Sequence, residues 1–146
     1  MNKLSQSEKK FFFKNGYIHI KSVIPKNKIK NFRETFCSLL SHYSNTKVDK
    51  NFDDPNMVKI LKKLRKKSSK NFFYFFRTLS LTSNFNNLFN DKKLQEICSE
   101  ILKMKGKDLI IAEPQLRVDE PKNEKFSLDW HQDVSHYNQD PSGKNS

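Results

Sequence analysis

The stretch Leu109-Ile110-Ile111-Ala112-Glu113-Pro114-Gln115-Leu116-Arg117-Val118 decides the fold class that the sequence predicts. Its first four residues form a continuous apolar run, which is typical of a buried strand. Residues 115–118 then alternate polar and apolar side chains, as a half-buried strand does. After a loop at 120–124, residues 126–133 predict another strand. We therefore predict an α+β protein in which residues 108–146 contribute the strands.

The chain before this stretch, residues 1–107, is predicted to be mainly helical. Ser5-Gln6-Ser7-Glu8 fits a capping box, and the short helix that follows should end at Asn15-Gly16. Residues 17–20 alternate β-forming side chains and predict a strand. Pro25 suits the first turn of a long amphipathic helix.

Later segments of the helical part give a less uniform pattern. A helix is predicted after Pro55, with Val58, Leu61 and Leu64 buried, and Asp91 is predicted to cap a helix that ends near Gly106. Residues 72–76, Phe-Phe-Tyr-Phe-Phe, fit a strand or a helix, because periodicity cannot separate the two over so short a run. At 146 residues the chain has the length of a single domain, 1–146.

The chain is strongly basic, with 28 Lys and Arg against 16 Asp and Glu and a net charge of +12. Its densest lysine run spans residues 59–70. Two interpretations stay open: a solvated lysine surface, or a basic helical module that binds RNA or another polyanion. Only four of the basic residues are Arg, the side chain that pairs bidentately with guanine. The composition therefore favours the solvated surface over a nucleic-acid partner.

Neither a membrane segment nor a disulfide framework is predicted. No apolar run approaches the roughly 18 residues that a membrane span needs, and lysines flank Phe11-Phe12-Phe13, unlike a secretory signal. We therefore expect a cytoplasmic protein with no membrane partner. Cys37 and Cys98 lie in helical patterns without a CxxC pair, so we expect buried free thiols.

The candidate chemistry lies in Asp129-Trp130-His131-Gln132-Asp133. Side chains two apart on a strand share a face, so an imidazole nitrogen and a carboxylate oxygen can converge on one metal ion. His131 and Asp133 would then be two corners of the facial triad of a non-haem iron site. A surface His and Asp at a strand end is the alternative for the tripeptide alone. His136 is an odd number of residues from Asp133 and is predicted to face the other side.

Three segments in order resemble the phytanoyl-CoA dioxygenase family of Fe(II)/2-oxoglutarate-dependent oxygenases. They are residues 12–20 with the pattern F-x-x-N-G-Y, residues 115–121, and residues 130–137 with H-Q-D followed by Tyr137. The resemblance runs from about residue 8 to the last residue. It implies a helical N-terminal part and the first strands of a double-stranded β-helix, a jelly-roll architecture. It also implies Fe(II) as the metal and 2-oxoglutarate as the cosubstrate.

The resemblance assigns roles to individual residues. It implies that His131 and Asp133 bind the metal, that Gln115 approaches 2-oxoglutarate, and that Arg117 and Tyr137 approach the substrate. A salt bridge for Arg117, a structural role for Gln115 and simple packing for Tyr137 stay open. The implied reaction is hydroxylation of a C–H bond in a small metabolite or acyl substrate, whose identity the sequence does not give.

The family also requires a distal histidine and a basic residue for the far carboxylate of 2-oxoglutarate. Apart from His131 and His136, the chain offers only His19 and His42, both in the helical part. We therefore expect a truncated chain that is inactive by itself.

Overall fold

The computed structural model describes residues 4–49, 55–105, 108–109, 114 and 116. Over these residues the chain forms α helices, and no strand occurs among them. The helices are α1 (Gln6–Asn15), α2 (Lys26–Ser44), α3 (Pro55–Lys67), α4 (Ser69–Leu81), α5 (Ser83–Phe89) and α6 (Lys92–Leu102). Within the described chain, no helix is both long and apolar enough to cross a membrane.

The predicted α+β class with jelly-roll strands is wrong, because the regular structure of the described chain is entirely helical. The predicted strand at 17–20 does not form, since these residues have no regular secondary structure: Ile18 and Ile20 are half-buried, while Tyr17 and His19 are exposed. Alternating side chains indicate only that one side of the segment is buried. A strand also needs a neighbouring strand that forms hydrogen bonds with its backbone N–H and C=O groups. Among the later predicted strands, the structure describes only Leu109 and Leu116, and neither lies in a strand.

Residues 72–76 lie inside α4, so the open choice between strand and helix resolves to helix. Ser68 caps this helix, since its Oγ accepts a hydrogen bond from the Asn71 N–H at 3.1 Å. Within the aromatic run, Phe75 is fully buried, whereas Phe73 and Tyr74 are exposed. Neighbouring residues on a helix point about 100° apart, which divides the run between the core and the surface.

Both ends of α1 confirm the sequence prediction. The Ser5 Oγ accepts from the Glu8 N–H at 3.2 Å, and the Glu8 carboxylate accepts from the Ser5 N–H at 2.7 Å, which completes a capping box. The Ser5 hydroxyl also donates to the Glu8 carboxylate at 2.7 Å, and this hydrogen bond, together with the one from the Ser5 N–H, lowers the pKa of Glu8. At the other end, Gly16 has φ of +79° and donates its N–H to the Phe12 carbonyl at 2.7 Å. Glycine takes this left-handed conformation without steric penalty.

The core forms around α2, which packs against α3, α4 and α5. Phe36 and Phe75 pack edge-on in this core, with their ring centroids 5.1 Å apart. The buried side chains of the cluster are Phe32, Phe36, Cys37, Leu40, Val48, Met57, Leu61, Leu64, Phe75, Leu79 and Phe85. On α3, Leu61 and Leu64 are buried as predicted, but Val58 is 43% exposed and Met57 is buried.

Two ion pairs attach α1 and α6 to their neighbours. Lys9 Nζ lies 2.6 Å from Glu100 Oε1, and Lys28 Nζ lies 2.8 Å from Asp91 Oδ2. Asp91 caps α6 as predicted, because its Oδ1 accepts from the Lys93 N–H at 3.0 Å. The helix ends at Leu102, earlier than predicted, where Lys103 takes a left-handed φ of 54°.

Candidate functional site

The residues predicted to form the iron site lie outside the described residues. This applies to His131 and Asp133, to Gln115 and Arg117, and to Tyr137, as well as to His136. Within the described part of the chain, no group of three or more His, Cys, Asp or Glu side chains is placed to hold a metal ion.

The two histidines that the structure describes lie on the surface. His19 is exposed in the irregular segment 17–20, and His42 is exposed in the last turn of α2. The His42 ring packs edge-on against the Tyr43 ring, with centroids 5.1 Å apart. Neither histidine therefore belongs to a metal cluster within the described residues.

The cysteines are free thiols, as the sequence predicted. Cys37 is buried in the core, and burial is the main reason that its pKa is raised above the usual value for a thiol. A protonated, buried thiol is a poor nucleophile and a poor metal ligand. Cys98 is half-buried on α6. The described structure gives neither residue a chemical role beyond packing.

One side of α3 carries five lysines, which we call the lysine face: Lys59, Lys62, Lys63, Lys66 and Lys67. They line a single open surface depression. Their spacing of three and four residues places them along one side of the helix. Met57, Leu61 and Leu64 are buried on the opposite side. Packing of the apolar side against the core therefore turns the lysines to the surface.

The sequence of this region contains basic residues and no acidic ones. Residues 55–90 contain six Lys, two Arg and no Asp or Glu. Lys59, Lys63, Lys66 and Lys67 are exposed. They take part in none of the ion pairs that form between described residues. The lysine face is thus a concentrated positive surface on a fixed scaffold.

A polar groove borders the lysine face where the end of α2 meets α3 and the start of α4. Lys63 and Lys67 line both the groove and the lysine face. The other lining residues are Tyr43, Ser44, Asn45, Thr46, Ile60, Leu64, Ser68 and Asn71. Asn45 ends α2 with a left-handed φ of 52°, which directs the chain along the groove edge. The groove therefore combines two ammonium groups with amide and hydroxyl side chains.

Exposed aromatic rings follow the lysines along the chain. Phe73 is 63% and Tyr74 45% exposed, and their ring centroids lie 5.6 Å apart. The ammonium group of Lys70 lies 6.0 Å from the centre of the Tyr74 ring, a cation–π distance. One turn of α4 thus presents positive charge and exposed π surface side by side.

No family model, curated protein or solved structure matches the chain. The resemblance to phytanoyl-CoA dioxygenases therefore stays a prediction from sequence motifs.

Sequence reasoning recognised the lysine run but not its arrangement. The spacing of the lysines carried this information. Lys59, Lys63 and Lys67 repeat every four residues, and Lys62 and Lys66 come three residues after Lys59 and Lys63. The groove could not be found in this way. It depends on the end of α2 lying beside α3 and α4, which is a tertiary contact.

Proposed function

We propose that the chain carries two metal ligands of a Fe(II)/2-oxoglutarate-dependent dioxygenase that hydroxylates a C–H bond of a small metabolite or acyl substrate. The observation that carries the proposal is the segment Trp130-His131-Gln132-Asp133, preceded in order by Gln115 and Arg117. The combination of an imidazole and a carboxylate suits iron in the facial triad of non-haem oxygenases.

The donor set defines what the protein residues must do. His131 must be neutral and Asp133 ionised to donate electron pairs, so metal affinity should fall as the pH is lowered. When bound, Fe(II) with 2-oxoglutarate and oxygen supplies the oxidising power for hydroxylation. Gln115 is proposed to orient the cosubstrate, and Arg117 and Tyr137 the substrate. A third ligand is required, and the described residues form no three-residue cluster that could supply a complete site.

The N-terminal motif gives weaker support, because the structure explains much of it by local folding. Asn15-Gly16 ends α1: the Gly16 N–H and the Asn15 side-chain amide donate to the carbonyls of Phe12 and Phe11, respectively. A helix terminator of this kind occurs in proteins of many functions. The functional weight therefore rests on residues 130–133.

The test is Fe(II) binding by the purified chain under anaerobic conditions. Loss of one of two ligands should weaken binding at least tenfold, since even supporting residues around metal ligands typically change affinity by about 10–100-fold. We expect this for His131→Ala and for Asp133→Ala, measured by titration calorimetry and by iron content after desalting. His42→Ala is the matched control, because His42 is exposed and belongs to no described metal cluster. Equal iron binding by all four proteins would refute the assignment.

A further inference from the structure

We propose that the lysine face of α3, together with Lys70, Phe73 and Tyr74 of α4, binds single-stranded nucleic acid with little sequence preference. This inference is independent of the proposed oxygenase chemistry and concerns a different part of the chain. It rests on the arrangement of charge, exposed aromatic rings and hydrogen-bonding groups in residues 43–74.

The first observation is the length and exposure of the positive surface. Lys59 and Lys67 lie eight residues apart on α3, which corresponds to about 12 Å at 1.5 Å per residue. That length allows contact with several successive phosphates of an extended strand. Lys59, Lys63, Lys66 and Lys67 are exposed, and residues 55–90 contain no carboxylate side chain that would compete with phosphate. Neutralising phosphates releases counterions, which drives binding without sequence recognition.

The second observation is the pair of exposed rings on α4. Phe73 and Tyr74 are 63% and 45% exposed, beside the Lys70 ammonium group. Bases of a single strand are free to stack on such rings, whereas paired bases in a duplex are not. Single-strand proteins combine a basic path for the backbone with aromatic platforms for the bases. The rings therefore favour a single-stranded ligand over a duplex.

The third observation is the polar groove beside the lysine face. Lys63 and Lys67 border it together with Asn45, Thr46 and Asn71. Amide and hydroxyl side chains commonly position phosphate and sugar groups. A backbone lying over Lys63 and Lys67 would thus find hydrogen-bonding groups next to the ammonium groups.

Other polyanions fit these observations less well. The apolar side of α3, with Met57, Leu61 and Leu64, is buried in the core, so α3 cannot insert it into a bilayer as an amphipathic membrane helix does. The scarcity of Arg argues against reading base edges in a duplex groove. It does not argue against a site that uses phosphate pairing and stacking. The proposal thus departs from the expectation, drawn from composition, that nucleic acid is disfavoured.

The experiment is fluorescence anisotropy of labelled 15-nucleotide oligo(U) and oligo(dT) with the full chain at about 50 mM salt, where electrostatic binding is strong. We expect both strands to bind with similar affinity and more tightly than a duplex of the same length. We expect Lys63→Glu/Lys67→Glu to weaken binding at least about tenfold. The dependence of log affinity on log salt should also fall by about 1.4, at roughly 0.7 per single-strand phosphate contact.

A control variant tests whether binding depends on the lysine face itself or only on the net positive charge of the chain. Lys26→Glu/Lys30→Glu makes the same charge change at the same spacing of four residues, at exposed positions on α2. We expect it to weaken binding less than threefold. Phe73→Ala/Tyr74→Ala should weaken binding about fivefold or more through lost stacking, with the salt dependence unchanged. Far-UV circular dichroism checks that every variant keeps its helices.

Several results would overturn the proposal. One is equal weakening by the α2 and α3 charge variants, and another is tighter binding of the duplex. A third is absence of binding at about 50 mM salt, where phosphate contacts are strong. Binding to phosphatidylserine vesicles without binding to either oligonucleotide would show that the surface serves an acidic membrane instead.

Discussion

Lysines in two regions of the molecule differ in the acidic residues that the chain supplies near them. Lys9 and Lys28 are partly buried and pair with Glu100 and Asp91 at 2.6 and 2.8 Å. The lysine face of α3 lies in a stretch that contains no acidic residue. In the first region lysines connect one helix to another through carboxylates, whereas residues 55–90 supply no carboxylate side chain. The comparison predicts that removing charge lowers stability in the first region and not in the second.

The largest effect on stability is expected at Asp91, the buried end of the Lys28 pair. Asp91→Ala removes the cap of α6 and leaves Lys28 without this partner. We expect a loss of about 2–3 kcal/mol in the free energy of unfolding. Urea unfolding followed by circular dichroism measures it. Lys92→Ala, at an 88% exposed neighbour, should change stability by less than about 0.5 kcal/mol. Equal effects of the two substitutions would contradict the account.

The same carboxylate should make stability depend on pH. The hydrogen bond from Lys28 is the main reason that the pKa of Asp91 is lowered in the folded protein. A lowered folded-state pKa adds stability above the unfolded value of about 4, and this stability is lost as the pH falls through the folded-state pKa. Asp91→Asn cannot ionise, so the difference in unfolding free energy between it and the parent should be constant from about pH 7 to 5 and shrink below about pH 4. A difference that persists unchanged in acid would show that the pair does not set this pKa.

A smaller effect is expected at Lys9, whose side chain is 27% exposed in its pair with Glu100. Lys9→Met should lower the free energy of unfolding by about 0.5–1 kcal/mol, and less at about 1 M salt, because partly exposed ion pairs are screened. Lys10→Met, at the exposed neighbouring position, is the control and should have almost no effect. A loss that is the same in low and high salt would assign the effect to packing.

The smallest effect, and one of opposite sign, is expected on the lysine face. Lys63 has Lys59 four residues before it and Lys67 four residues after it, so like charges repel along the helix. Lys63→Gln should raise stability by about 0.2–0.5 kcal/mol. Lys30→Gln on α2 is the matched control, because Glu34 lies four residues after Lys30 and attracts it. If Lys30→Gln stabilised the protein as much as Lys63→Gln, like-charge repulsion would not distinguish the lysine face from α2.

The parts of the fold that the sequence predicted correctly are those with a local cause. Ser5 and Glu8 start α1, Gly16 ends it and Asp91 caps α6, because each acts within four residues of itself. The helix after Pro25 likewise follows from a rule of short range. These features need no knowledge of the tertiary structure.

The parts that the sequence predicted wrongly or left undecided depend on partners elsewhere in the chain. Ile18 and Ile20 alternate with exposed residues, yet their segment forms no strand, and no strand occurs among the described residues. The sequence left residues 72–76 open between strand and helix, and they fold as part of α4, whose Phe75 fills the core beside Phe36. Tertiary packing overrides intrinsic preference in such runs. The polar groove could not be predicted for the same reason, because it depends on tertiary contacts. The iron ligands His131 and Asp133 stay a prediction from the sequence.

The most direct test of the proposed function asks which histidine approaches the metal. Histidine ring signals are followed by NMR while paramagnetic Mn²⁺, a stand-in for Fe(II), is added to the full chain under the conditions of the iron titration. We predict that the ring signals of His131 broaden at stoichiometric metal, while those of His19 and His42 keep their widths. Broadening of His19 or His42 to the same extent, or no selective broadening of His131, would contradict the proposed function.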